Sequence, residues 1–224
     1  AELLEIFGSI VNGFAVPLRR EHVQVFLKRC LLPLHTVTDN LTTFFPQLAY
    51  CVVQFAEKDA SLGSLIITYL LRHWPKHNSL LQVLFLGEVE ECMDHMADGQ
   101  HLLQIKHLLF TRLADCIRSS HFQVAERALM LWNHDIVTSS MYLHGNDLHT
   151  MHMMVQALTE AQRRHWNKNV QAMALAALGN MSEMDPILYA AACRTDGDAD
   201  GGQEDVVMLA NTPDDTNTSA SIND

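Results

Sequence analysis

His149 and His152 stand three residues apart, a spacing that puts two imidazoles on one helical face, and His144 lies a short way upstream. Two such histidines are half of a zinc site. No glutamate completes a His-Glu-x-x-His pattern, however, and no Cys-x-x-Cys pair supplies a closed ligand set. The 13 histidines are therefore expected on surfaces and in loops. His73 and His77 flank Trp74-Pro75-Lys76 at a helix end, where imidazole can meet terminal carbonyls. Asp196, Asp198, Asp200 and Gly201 match the opening of a calcium-binding loop, but Gln203 and Val207 occupy the positions that need an aliphatic residue and a bidentate glutamate. A solvated acidic linker accounts for them better. No Gly-x-Ser-x-Gly elbow, phosphate-binding loop or dinucleotide fingerprint occurs. No catalytic residue, metal or cofactor is expected, and the chain reads as a non-enzyme.

Charge narrows the partners further. The formal net charge is -11, and from Asp196 onward there are acidic residues but no Lys or Arg. Nucleic-acid binding is not expected, because phosphate neutralisation needs Lys/Arg stripes that this composition lacks. Glu88, Glu90 and Glu91 are expected to form a solvated acidic face, with contact to a basic partner as the functional option. Arg163, Arg164 and Lys168 around His165-Trp166-Asn167 make the opposite patch, with the indole expected to be packed.

The elements that must position these residues are helices. Phe122, Ala125, Leu129 and Trp132 recur at helical spacing within His121–Asn133, and Val124, Ala128 and Leu131 widen that face. A face so broad suits a helix packed on more than one side, in a stacked array or a globular bundle. Comparable helices are predicted in pairs, at Ala1–Ala15 with Arg19–Leu34, Gln47–Ala56 with Leu62–Trp74, and Leu80–Met96 with His101–Ile117. Ser119–Thr138 with Asp147–Trp166, and Asn169–Met181 with Pro186–Cys193, continue the series. A polar break is expected at His35–Asn40. The leading helices recur about every 40 residues, the period of HEAT or armadillo solenoids. The expected fold is thus all-α, a HEAT/armadillo-like solenoid over 1–194, followed by a disordered acidic tail over 195–224. Thr212-Pro213 in that tail fits a proline-directed phosphorylation site, a pattern common by chance.

The five cysteines include no Cys-x-x-Cys pair and sit mostly in apolar runs, as reduced core thiols of a cytoplasmic or nuclear protein would. No apolar run approaches a membrane span. The first residues open inside an amphipathic pattern, as a piece of a longer chain would.

Glu2–His22, Pro46–Asp59, Arg72–Glu91, Ser120–Asn133 and His165–Val170 closely resemble, in order and spacing, the B-prime family of regulatory subunits of type 2A serine/threonine protein phosphatase. The resemblance covers roughly Glu2 to Asp185, is loose over Ser140–Arg163, and stops before Pro186. It implies a HEAT-like solenoid that binds the phosphatase scaffold and catalytic subunits. It also implies a groove that selects substrate proteins through short Leu-x-x-Ile-x-Glu motifs, often followed by acidic residues. By position, Glu5, Ile6 and Ile10 match groove-lining residues, while Arg19 and His22, with Arg20 as a helper, match a basic edge. Ile6 and Ile10 are one turn apart and can wall an apolar pocket, although periodicity alone makes them core residues. The preceding family repeat supplies the other wall, so this chain is expected to hold half a groove and to bind such peptides weakly. The alternatives are a helical scaffold that does not join the phosphatase, and a helical hydrolase.

Overall fold

The computed structural model describes residues 1–37, 40–96, 100–142 and 147–194. The acidic tail, with its calcium-like loop and Thr212-Pro213, lies outside these residues, as do His144 and Gly145. Among the described residues all regular structure is helical. Helix α1 spans Glu2–Asn12, and α2 follows with π winding over His22–Leu31 and ordinary winding over Leu32–Leu34. Next come α3 (Leu41–Lys58), α4 (Ser61–Arg72), α5 (Ser79–Asp94), the short α6 (Gln100–Leu103) and α7 (Lys106–Ile117). Helices α8 (Phe122–Trp132), α9 (Asp135–Tyr142), α10 (Leu148–Arg164), α11 (Lys168–Met184) and α12 (Pro186–Arg194) complete the order.

The packing is that of a two-row solenoid. Helices α1, α3, α5, α8 and α11 form one row, each resting on the next; α4, α7, α10 and α12 form the other. The rows zip together because each second-row helix also meets the first helix of the following pair, as α4 meets α5, α7 meets α8 and α10 meets α11. One core runs the length of the stack. Among the described residues no helix is long and apolar enough to cross a membrane.

Most helix boundaries shift by a few residues from those the sequence predicts, and three differ more. Helix α3 begins at Leu41 and runs through Pro46, which lacks the amide that would bond to Thr42. Burial of Leu41 and Phe45 offsets that lost bond. The predicted Ser119–Thr138 helix is divided after Trp132, where His134 leaves the helical track and its Nε2 meets Asp94 Oδ1 at 2.9 Å. The predicted His101–Ile117 helix is likewise two pieces, α6 and α7.

The starts of α5, α10 and α11 carry side-chain caps. Asn78 Oδ1 accepts from the Leu81 amide at 3.1 Å, and Asp147 Oδ1 from the Thr150 amide at 3.1 Å. Asn167 Oδ1 accepts from the amides of Asn169 at 2.8 Å and Val170 at 3.4 Å, satisfying first-turn donors of α11. Replacing Asn167 by alanine is expected to cost about 1 kcal/mol, read as a lowered thermal midpoint with unchanged helical circular dichroism.

Candidate peptide-binding site

Helix α1 has two apolar stripes. Leu4, Phe7 and Val11 face the stack, whereas Leu3, Ile6 and Ile10 are exposed at 82%, 60% and 50%. The reading of Ile6 and Ile10 as core residues therefore fails, and the pair stands open with Glu5 alongside. Helix α1 is firmly seated. A Cβ on Gly8 would fall 2.8 Å from a ring carbon of Tyr50, so only glycine permits this approach to α3 without displacing that ring. Lys58 Nζ of α3 donates to the carbonyls of Asn12 at 2.8 Å and Phe14 at 3.0 Å, closing the carboxyl end of α1.

Arg19 is exposed on the connection between α1 and α2, and His22 is the first residue of α2. An aromatic bridge joins the two helices. Phe26 lies 5.3 Å from Phe7 and 5.8 Å from Phe14, and the His22 ring stacks on Phe14 at 4.0 Å. The Nδ1 atom of His22 is buried and makes no protein hydrogen bond. The basic edge is thus fixed to the end of the helix that displays Ile6 and Ile10.

The sequence did not single out Pro46, Gln47 and Tyr50 as site residues. Gln47 Nε2 donates to Glu5 Oε1 at 3.4 Å, and with Pro46 and the half-exposed Tyr50 these two line a hollow of about 270 Å³. Pro46 and Tyr50 also line a cleft of about 620 Å³ that continues between α3 and α5 along Val53, Val83, Leu84 and Gly87. Glu91 and Arg127 border its far end. Burial, then the neighbouring Glu88 carboxylate, hold Glu91 above the usual carboxylate value. Tyr50 sits in the apolar run PQLAYCVV, whose composition gives no hint that one member is displayed.

The acidic cluster is not a solvated face. Glu88 is 1% exposed and paired with His35, Glu90 forms an ion pair with Arg127, and only Glu91 faces solvent. The polar break is also a structural hub, since His35 is buried. The two histidines that share a helical spacing do different things: His149 lies 5.8 Å from the His107 ring, while His152 Nδ1 meets the Ala192 carbonyl at 2.9 Å. Among the described residues no three His, Cys, Asp or Glu side chains cluster as metal ligands. Burial pushes the Cys51 thiol up to about 11 and Cys116 up to about 12, so both stay protonated and unreactive at neutral pH.

A helical-repeat array with an open apolar stripe, a basic edge and an adjoining cleft is a binding protein by class. The model of the B56 family, protein phosphatase 2A regulatory B subunits, matches residues 1–205, so the expectation that the resemblance stops before Pro186 is wrong. The 56 kDa regulatory subunit delta isoform of rabbit is 46% identical over 189 residues, covering 84% of this chain and 31% of that protein. The human beta isoform is 46% identical over 190 residues, 84% of this chain and 37% of its own length. The B' kappa isoform of Arabidopsis thaliana is 45% identical over 189 residues, with the same two shares. This chain belongs to the B56 family of regulatory subunits, and it spans about a third of the length of those relatives.

Proposed function

We propose that this chain acts within a regulatory subunit that binds the scaffold and catalytic subunits of type 2A phosphatase and recruits substrates. Its helical body, 1–194, takes Leu-x-x-Ile-x-Glu segments on α1, with 195–224 as an acidic tail outside the binding unit. The observation that supports this best is the exposure of Ile6 and Ile10 on a helix whose other apolar stripe is already packed. An extended segment would lay its aliphatic side chains on that pair, with Glu5 lining the groove, and its trailing acids would meet Arg19 and His22. Phosphate hydrolysis stays with the separate catalytic subunit, and the complex works in the cytoplasm, the nucleus or both.

Two measurements test this. Co-purification of the tagged chain with purified scaffold and catalytic subunits should recover both; recovery of neither would leave a helical scaffold outside the phosphatase. A fluorescent Leu-x-x-Ile-x-Glu peptide should bind the chain more weakly than micromolar, because α1 offers it an open stripe rather than an enclosed pocket. Ile6→Asp should abolish even that binding without changing helical content. Binding indifferent to this substitution would place the groove elsewhere.

A further inference from the structure

Trp166 is 64% exposed, against 9% for Trp74 and 1% for Trp132. The expectation that its indole is packed is therefore wrong, yet the ring is held in place. Its Nε1 donates to the Ser120 carbonyl at 2.9 Å, and Phe122 meets the ring edge-on at 5.8 Å. The preceding residue is fixed as well. His165 Nε2 donates to the Ser119 carbonyl at 3.2 Å, its Nδ1 accepts from the Asn167 amide at 3.0 Å, and its carbonyl accepts from Gln171 Nε2 at 2.6 Å. An aromatic side chain that is both displayed and rigid has already lost the entropy that docking would otherwise cost. Tryptophan and arginine are also the residues that most often dominate binding interfaces.

The surroundings select the ligand's charge. A pocket of about 190 Å³ beside the indole is lined by Ile117, Arg118, Ser120, Glu160, Arg164 and His165. That volume suits one side chain rather than a cofactor. Glu160 holds the pocket's cations, meeting Arg118 at 3.2 Å and Arg164 at 3.9 Å, while the Arg164 side chain remains 80% exposed. Arg163 and Lys168 are exposed next to it. Against Glu160 and the nearby Glu126 stand Arg118, Arg163, Arg164 and Lys168, so this turn of an acidic protein carries a local excess of cations.

We infer that the turn edge around Trp166 docks an acidic peptide segment of a partner protein, the indole taking an apolar side chain and Arg118, Arg163, Arg164 and Lys168 taking carboxylates. A nucleic acid fits less well, because a polyanion long enough to use these few cations also meets the field of a chain whose net charge is -11. This surface lies on α7, α8, α10 and α11, apart from the α1 groove, and does not depend on that assignment.

Trp166 supplies its own probe, because a neutral quencher such as acrylamide reaches it and not the two buried tryptophans. Random peptides displayed on phage and selected on the full chain should converge on Asp/Glu-rich segments carrying one aromatic or aliphatic residue. The synthesised winners should protect Trp166 from quenching, and the protection should fade with added salt. Arg163→Glu with Arg164→Glu should weaken binding by about tenfold or more. Trp166→Ala should do the same, read by polarisation of labelled peptide, with Trp166→Phe recovering part of the loss. Ile6→Asp should bind these peptides normally. The inference is overturned if no sequence class is enriched, or if the winners bind the charge-reversed chain equally well. Equal protection by a short DNA duplex would overturn it too, by showing a general polyanion site.

Discussion

Replacing His35 by alanine is expected to destabilise the chain by about 3–5 kcal/mol, far more than the loss of any surface ion pair. The reason is what the substitution leaves behind. His35 Nδ1 donates to the Leu32 carbonyl at 3.0 Å, and Nε2 faces both Glu88 carboxylate oxygens, at 3.1 and 3.0 Å. Both ring nitrogens thus meet acceptors, an arrangement that calls for the imidazolium. The side chains of both partners are fully buried, and Phe45 and Phe85 enclose the imidazole edge-on at 5.9 and 5.8 Å. Without His35, the Glu88 carboxylate keeps its desolvation cost and loses its counter-charge. The double replacement His35→Phe with Glu88→Met should recover much of the loss, because a buried ion pair exchanged for apolar volume is close to neutral. A double variant as unstable as the single one would show that packing, not the orphaned charge, is responsible.

The same pair gives stability a dependence on pH with a defined sign. Burial works against the charge on His35, but the Glu88 carboxylate and the carbonyls of Leu32 and Leu31 outweigh it, raising the pKa above the ordinary 6.5. A raised folded-state value means that the folded chain holds the proton more tightly than the unfolded chain. The stabilisation is therefore complete below about 6.5 and is lost as pH rises through the raised folded value. The thermal midpoint of the parent should fall between about pH 6 and pH 9, and the His35→Phe, Glu88→Met chain should lose that component of the slope.

This pair also shows where sequence reasoning stops. Helices were legible because apolar periodicity is local, and the HFQVAERALMLW segment buries Val124, Ala125, Ala128, Leu129, Leu131 and Trp132 as its pattern requires. His35 and Glu88 are 53 residues apart, and nothing local to either one announces the other. On a helical step of about 100° per residue, Glu88 and Glu91 lie within about 60° of each other, so periodicity alone gave no sign that one is buried and the other open. In α1 the two apolar stripes, Leu4/Phe7/Val11 and Leu3/Ile6/Ile10, have identical spacing and differ by a one-residue offset. Periodicity cannot rank them; contact with α3 does. Trp74 and Trp166 occupy matching turns in similar strings, HWPK and HWNK, yet one lies under Arg112 and the other is open. The difference is made by a residue from another helix.

Trp132→Ala tests whether the chain behaves as a stack of neighbours rather than one cooperative globule. The indole is 1% exposed in α8, with Phe110 of α7 edge-on at 5.9 Å, and truncation opens a cavity where the two rows meet. The expected cost is about 3–5 kcal/mol. In a solenoid each element is supported chiefly by those beside it, and α8 packs mainly on α5, α7 and α11 and more lightly on α9. Hydrogen exchange should therefore accelerate in α7, α8 and α11 and remain near the parental rate in α1 and in the half of α3 that faces it. The His35 variants should show the reverse, opening the α2–α3–α5 junction and sparing α11. Helix α5 borders both sites, so the costs in a combined variant should depart from simple addition by the coupling that α5 carries. Uniform acceleration across all helices in either variant would mean that the continuous core couples the repeats more strongly than nearest-neighbour stacking allows.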